Sequence, residues 1–156
     1  MIFAAVGTST YQFKRFVKEI DLLAKSTDSE VYLQIGYTIE DVKYCKVINH
    51  LSHSDFLNML SDCTTFISHT GIGVTLDAMR LNKPLISIPR SPNLNEHTDD
   101  HQLELATALK QNNRCHVIFP DARLMPEDLG KAFCKPEGGY AGVFVEKICK
   151  LVNDYC

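Results

Sequence analysis

The sequence predicts an α/β protein in which a parallel sheet is flanked by helices. Short, continuously apolar runs alternate along the chain with longer stretches whose apolar residues recur every three or four positions. A continuous apolar run is typical of a strand covered on both faces, and the three- and four-residue spacing is typical of an amphipathic helix. Because strands that alternate with helices form parallel sheets, helices are expected on both faces.

The apolar runs are the predicted strands, which cover residues 2–6, 30–36, 46–49, 65–67, 84–89 and 115–119. Helices are predicted between and after them. The first runs from Phe13 to about Ser26, the second from an N-cap at Ser54 through Leu60, and the third follows the turn at Gly71–Gly73. The last three run from Gln102 or Leu103 to Asn112, from Pro126 to Phe133, and from Tyr140 to about Tyr155.

The composition indicates one globular domain, residues 1–156. A formal net charge of -3 without a lysine- or arginine-rich stripe argues against nucleic-acid binding. The six cysteines include no C-x-x-C pair, and the apolar start at Met1–Val6 lacks a basic leader, so reduced thiols in a cytosolic chain are expected. No apolar run reaches the ~18–20 residues that a membrane-spanning helix needs.

The first predicted strand ends in the turn Val6–Thr10, which leads into a helix. Free backbone N–H groups and small hydroxyl side chains at such a turn suit a phosphate. The turn is neither G-x-G-x-x-G nor G-x-x-x-x-G-K-[ST], which disfavours dinucleotide and P-loop sites. A phosphate-binding turn and an ordinary strand–helix turn remain equally open.

The turn Ser68–Gly73 is a stronger signal, because its two glycines allow a ligand to approach the backbone closely. The helix that follows would direct its positive end at an anion. Asp77 falls on the first turns of that helix, where its carboxylate could accept hydrogen bonds from a vicinal diol. The alternative is a solvated helix carboxylate.

The loop Asn95–Gln102 is dense in hydrogen-bonding and ionisable residues. His97 and His101 stand four apart with carboxylates between them, but H-T-D-D-H is not the H-E-x-x-H pattern of a zinc site, so a metal is disfavoured. A rim that hydrogen-bonds a polyhydroxylated ligand is the better interpretation. Asp99 or Asp100 would cap the helix that follows.

Four segments together resemble the glycosyltransferase family 28 C-terminal domain. They are Val6–Thr8, Ile67–Gly73, Lys83–Arg90 and Asn95–Glu104, in the family's order and at its spacing over about residues 1–120. The resemblance is greatest to the small stand-alone subunits of bacterial exopolysaccharide synthesis and of eukaryotic dolichol-linked N-acetylglucosaminyl transfer. Leu103 fits the exopolysaccharide branch, whereas the peptidoglycan branch has a second glutamine there.

The resemblance implies a Rossmann-like domain that forms the C-terminal half of a GT-B enzyme. The chain would be the donor-binding catalytic subunit of an inverting hexosyltransferase, which moves a hexose or N-acetylhexosamine from a UDP-sugar such as UDP-N-acetylglucosamine. A separate membrane-associated subunit would hold a lipid-linked acceptor. The chain would then be cytoplasmic and would lie at the inner face of the membrane only through that partner.

The resemblance also implies which residues bind the donor. The residues implied for the diphosphate are Gly7, Thr8 and Ser9, and those for the phosphate–sugar junction are Gly71, Ile72 and Gly73. The residues implied for the uracil are Ser52 and His53. Those implied for the sugar are Asn95, Glu96, Asp100, His101 and Gln102. Asp77 stands where the family has a ribose-binding glutamate, and its side chain is one methylene shorter.

No metal or other cofactor is expected, because backbone amides and a helix dipole would stabilise the leaving UDP. By their usual pKa range, His69 and His97 are the possible general bases, and a base from the partner is an equal alternative.

Two other functions remain open at this point. One is a non-catalytic nucleotide-sugar-binding module that regulates a partner, and the other is an α/β domain without a nucleotide site. The transferred sugar, the acceptor, the oligomeric state and the function of residues 121–156 are not predicted.

Overall fold

The structure, a computed structural model, describes residues 1–135 and contains the predicted parallel sheet. Its six strands lie in the order β3-β2-β1-β4-β5-β6, and every neighbouring pair is parallel. The strands are β1 (Ile2–Ala5), β2 (Val31–Gln34), β3 (Lys46–Ile48), β4 (Thr65–Ser68), β5 (Leu85–Ser87) and β6 (His116–Val117).

Four α-helices and two 3₁₀ helices connect or follow the strands within the described range. The α-helices are α1 (Lys14–Lys25), α2 (His53–Asp62), α3 (Ile72–Arg80) and α4 (His101–Gln111), and the 3₁₀ helices are Pro92–Leu94 and Pro126–Lys131. None of these helices is long and apolar enough to cross a lipid bilayer.

The core lies on both faces of the sheet, as the continuously apolar strands predict. In β1, Ile2 and Ala4 pack on the α1 side, whereas Phe3 and Ala5 pack on the side of α2, α3 and α4. The Phe3 ring lies 5.2 Å from Phe56 and 5.4 Å from Phe66, measured between centroids. These contacts hold the start of α2 against β1 and β4.

Two predicted details differ from the structure, and a third is not tested by it. Ser52, not Ser54, caps α2, because its Oγ accepts a hydrogen bond from Asp55 N at 3.1 Å. The segment from Pro126 forms a 3₁₀ helix that ends at Lys131, since Phe133 pairs with Leu85 in an antiparallel bridge. The helix predicted at Tyr140–Tyr155 lies outside the described residues and stays a prediction.

The strand order creates a crevice between β1 and β4. The chain leaves β1 for β2 through α1 on one face, and it leaves β4 for β5 through α3 on the other face. In open parallel sheets, ligands bind beyond the carboxyl ends of the strands where the direction of winding changes. The turns after β1 and β4 meet at this point.

Candidate donor-nucleotide site

Both turns at the crevice have backbone conformations that are uncommon for residues with a side chain. Gly7, after β1, has a φ of +81°, and Thr70, after β4, has a φ of +65°. A β-branched residue rarely adopts a positive φ. Thr70 is held there by the sheet: its N–H donates to Ser68 Oγ at 3.1 Å, and its hydroxyl lies 2.7 Å from Ser87 Oγ. Backbone strain of this kind is concentrated at functional sites.

The imidazole of His69 fills the space between the two turns. A Cβ added at Gly7 would lie 2.5 Å from His69 Cε1 and Nε2, and a Cβ added at Gly71 would also clash with Nε2. Both positions therefore need glycine because of a neighbouring ring. The sequence attributed the glycine at 71 to ligand approach, and His69 supplies the physical reason that the pattern could not reveal.

Burial sets the protonation state of His69. The residue is only 8% exposed. Desolvation, together with the positive charge of Arg90, lowers the pKa of His69 to about 4 despite the carbonyl of Ala5 nearby. The imidazole is therefore neutral at pH 7. Its Nδ1 lies 3.3 Å from the Ala5 carbonyl oxygen, which can only accept, so the proton is on Nδ1 and Nε2 is unprotonated.

A cleft of about 380 Å³ opens beside these turns, on the α2 and α3 side of the sheet. This volume is within the ~300–1,000 Å³ range of small-molecule sites. Five residues that the sequence assigned to the donor line it together. They are Gly7, Thr8, His53, Gly73 and Asp77.

The start of α3 forms one wall of the cleft. A Cβ at Gly73 would meet no atom within 4 Å, so a ligand can come close to the backbone here. The Asp77 side chain is 17% exposed, and its Oδ1 lies 3.3 Å from Arg80 Nη1. The free N–H groups in the first turn of α3 and the helix dipole favour an anion at this wall.

Leu51 also lines the cleft, in the segment expected to bind uracil. One polar and two apolar residues of the lining were not expected from the sequence, namely Gln34, Phe56 and Val74. Gln34 ends β2 and is 5% exposed. A polar residue at the carboxyl end of an otherwise apolar strand was the available signal, because that end of a parallel sheet is where ligands bind.

Other residues assigned to the donor do not line this cleft. Gly71 and Ile72 lie at the start of α3 beside it, and the Ser52 hydroxyl caps α2. Ser9 Oγ accepts a hydrogen bond from Tyr11 N at 3.2 Å.

The Glu96 carboxylate accepts its hydrogen bonds from other residues of the protein. It accepts two hydrogen bonds from Arg15, both at 2.9 Å, and one from Ser91 N at 3.0 Å. The residue is 5% exposed. In this structure Glu96 therefore fixes the loop after β5 to α1, instead of facing open space.

Arg90, beside this ion pair, is fully buried and joins three segments. Its guanidinium donates to the carbonyls of Val6 (3.0 Å), Tyr11 (2.9 Å) and Glu96 (3.1 Å). It also lies 4.5 Å from the centre of the Phe13 ring. Burial lowers the pKa of Arg90 to about 10, and the negative charge of Glu96 opposes this shift, so the group stays charged at pH 7.

The rest of the loop after β5 forms a rim. Asp100 is the N-cap residue of α4 but makes no capping hydrogen bond with its side chain, whereas Asp99 Oδ1 accepts from His101 N at 3.1 Å. The same oxygen lies 3.0 Å from His97 Nδ1 and 3.4 Å from His101 Nδ1. Asn95 and Asp100 are exposed, while Gln102 Oε1 accepts from Arg90 N at 3.1 Å. Within residues 1–135, no three His, Cys, Asp or Glu side chains are grouped to hold a metal ion.

A cleft of larger volume, about 540 Å³, is lined by residues 35–40 and by Val47, Asn49 and His50 near the edge strand β3. It includes none of Gly7, Gly71, Gly73 and Asp77. We place the site in the smaller cleft, because there the turns of the crevice and the start of α3 meet.

The fold defines the class of protein: it is that of the C-terminal domains of GT-B glycosyltransferases. The glycotransferase of kitacinnamycin is 17% identical with a TM-score of 0.58, over 97% of this chain and 36% of that chain. The calicheamicin glycosyltransferase CalG4 is 15% identical with a TM-score of 0.54, over 98% of this chain and 38% of that one. The glycosyltransferase SnogD from Streptomyces nogalater is 17% identical with a TM-score of 0.51, over 97% and 41%.

The sequence then gives the particular family. Residues 1–133 match the glycosyltransferase family 28 C-terminal domain, and the chain belongs to this family. The expected family and the expected fold are thus confirmed. No curated protein sequence matches the chain. The chain spans about two fifths of the length of the glycosyltransferases that share its fold.

Proposed function

We propose that the chain is the donor-binding part of an inverting glycosyltransferase that uses a UDP-sugar. The observation that carries this proposal is the cleft at the crevice between β1 and β4. It combines a glycine turn, the start of a helix, an open backbone at Gly73 and a carboxylate at Asp77. Peptide N–H groups suit a diphosphate, and a carboxylate suits a ribose diol.

The proposed pose follows the walls of the cleft. The diphosphate lies between the turn at Gly7 and the start of α3, where peptide dipoles offset its charge. Asp77 accepts hydrogen bonds from the ribose. The uracil lies against Leu51, His53 and Phe56 at the start of α2. The donor sugar then extends toward the rim at Asn95–Gln102.

In the proposed reaction, an acceptor hydroxyl attacks the anomeric carbon from the side opposite UDP. The new glycosidic bond forms as the bond to the diphosphate oxygen breaks, and UDP leaves with the electron pair. Backbone amides at the start of α3 stabilise the charge that develops on UDP, and no metal or cofactor is required. The acceptor's proton passes to a general base.

His97 is a better general base than His69 in this scheme. Its side chain is 22% exposed, on the rim, and Asp99 Oδ1 lies 3.0 Å from its Nδ1, where it can orient the imidazole. His69 is buried, and a pKa of about 4 makes it a weak base. A base from a partner subunit is the alternative.

The fold of this chain is that of one of the two domains of a GT-B glycosyltransferase. GT-B enzymes need a second domain to hold the acceptor. We propose that a membrane-associated subunit provides it with a lipid-linked acceptor, and that the chain meets the membrane on the cytoplasmic side only through this partner.

Calorimetry with UDP in the presence of EDTA tests the donor site. Binding by the wild-type chain and its loss in Asp77→Ala would support the proposal. Binding that needs an added divalent cation would overturn the metal-free account, and absence of UDP binding under either condition would overturn the donor site.

Sugar transfer by the chain together with its membrane subunit tests catalysis. Transfer by the pair, lost in Asp77→Ala, supports an enzyme. UDP binding without transfer supports instead a regulatory nucleotide-sugar-binding module.

A further inference from the structure

Gln34 is a buried polar residue at the floor of the 380 Å³ cleft. It is the last residue of β2, and it is aligned with Ala5 of β1 on one side and Ile48 of β3 on the other. Its backbone carbonyl accepts from Val6 N at 3.1 Å, which fixes its position in the sheet. Only 5% of the residue is exposed.

The carboxamide of Gln34 has no hydrogen-bond partner in the part of the chain that the structure describes. The two other glutamines near the crevice differ in this respect: Gln12 bonds the backbone of Tyr37 and Ile39, and Gln102 bonds the backbone of Arg90. A carboxamide offers two donor hydrogens and an acceptor oxygen, and buried polar groups are nearly always hydrogen-bonded. An unpaired carboxamide in the wall of a cleft therefore points to a polar ligand group.

The position of β2 indicates which part of a nucleotide this would be. The turns that suit the diphosphate follow β1 and β4, whereas Gln34 lies one strand farther along the sheet. The cleft is also lined by Leu51, just before α2, and by His53 and Phe56 in its first turns. A nucleotide anchored by its phosphates between β1 and β4 thus extends its nucleoside toward Gln34.

We propose that the Gln34 carboxamide hydrogen-bonds the nucleoside part of the donor and is a determinant of donor affinity. This inference rests on the proposed function. It assigns a binding residue that no motif in the sequence contains, and it accounts for an unpaired polar side chain in the wall of the cleft.

Calorimetry of Gln34→Met with UMP, UDP and inorganic pyrophosphate tests this assignment. Methionine keeps the length of the side chain and removes its hydrogen bonds. We expect UMP and UDP to bind more weakly by the same factor, about tenfold, and pyrophosphate binding to stay unchanged. Gln111→Met, at an exposed end of α4, is the matched control and should bind all three as the wild type does.

Each other outcome overturns the assignment. Equal UMP and UDP affinities for wild type and variant would remove Gln34 from the site while leaving the donor site intact. A loss confined to UDP and pyrophosphate would place the carboxamide at the phosphates. Failure of the wild type itself to bind UDP would overturn the proposed function, and this inference with it.

A measurement on the wild-type chain covers the case in which the variant does not fold. The side-chain NH₂ resonances of Gln34 should shift in ¹⁵N-labelled protein titrated with UMP, whereas those of Gln111 should not. Unshifted Gln34 resonances at saturating UMP would overturn the proposal.

Discussion

The two polar regions at the carboxyl edge of the sheet differ in what their hydrogen-bonding groups are used for. In the region around Arg90 and Glu96, the carboxylate and the outer guanidinium nitrogens bond to other parts of the protein. In the cleft, Gln34 is unpaired within the described chain and the backbone at Gly73 faces open space. Paired groups stabilise the fold, and unpaired groups that line a cleft are available to a ligand. Changes in the first region should therefore lower stability, and changes in the second should lower affinity.

The largest expected effect is on stability, in Arg90→Met. The substitution leaves the carbonyls of Val6, Tyr11 and Glu96 without their donor in a buried region. We expect the free energy of unfolding to fall by about 3–5 kcal/mol, measured by urea denaturation at pH 7. Arg123→Met, which removes an arginine whose side chain is 70% exposed, is the control and should change it by less than about 1 kcal/mol. A smaller loss for Arg90 than for Arg123 would contradict the comparison.

The next effect is a dependence of stability on pH through His69. Its native pKa of about 4 lies below the ordinary ~6.5, so between these values the unfolded chain binds a proton that the native chain does not. The stabilisation that depends on a neutral His69 is therefore complete above pH ~6.5. It is lost as the pH falls toward 4, which lowers the free energy of unfolding by up to ~3 kcal/mol.

Urea unfolding between pH 7 and pH 4.5 measures this dependence. His69→Gln should flatten the decline in unfolding free energy, whereas substitution of the exposed His50 by Gln should leave the decline as in the wild type. Equal slopes for wild type and His69→Gln would contradict the assigned protonation state.

A pair of glycine substitutions at the start of α3 separates an effect on stability from an effect on affinity. In Gly71→Ala the new methyl group meets the His69 ring, and we expect a loss of about 1–3 kcal/mol in unfolding free energy. In Gly73→Ala the methyl group enters the cleft. UDP affinity should then fall, while stability stays equal or rises by ~0.5–1 kcal/mol, since alanine favours a helix more than glycine does. The reverse pattern would show that Gly71, and not Gly73, is the ligand-facing glycine.

The smallest expected effect is in Asp77→Asn, which keeps the shape of the side chain and removes its charge. We expect UDP affinity to fall by about tenfold, because a carboxylate accepts hydrogen bonds from a diol more strongly than an amide does. Unfolding free energy should change by less than about 1 kcal/mol, since the ion pair with the largely exposed Arg80 is weak. Asp62→Asn, at an exposed site on α2, is the control for charge alone.

Within the described range, local sequence patterns predicted the strands, the α-helices and the two turns that meet at the crevice. These patterns are informative because the spacing of apolar residues in a strand or a helix involves only neighbours within a few positions. The same local information placed Gly7, Gly73 and Asp77 at one edge of the sheet, where the structure brings them together in the cleft.

Tertiary structure alone decided which polar residues have free hydrogen-bonding groups. Glu96 stands among the loop residues that the sequence assigned to a sugar, yet its partner Arg15 is 81 positions away on α1. His69 dictates glycine at position 7 from 62 residues along the chain, and Gln34 lines the cleft together with residues of α2 and α3. Such contacts depend on how distant segments pack, and no local pattern of residues carries that information.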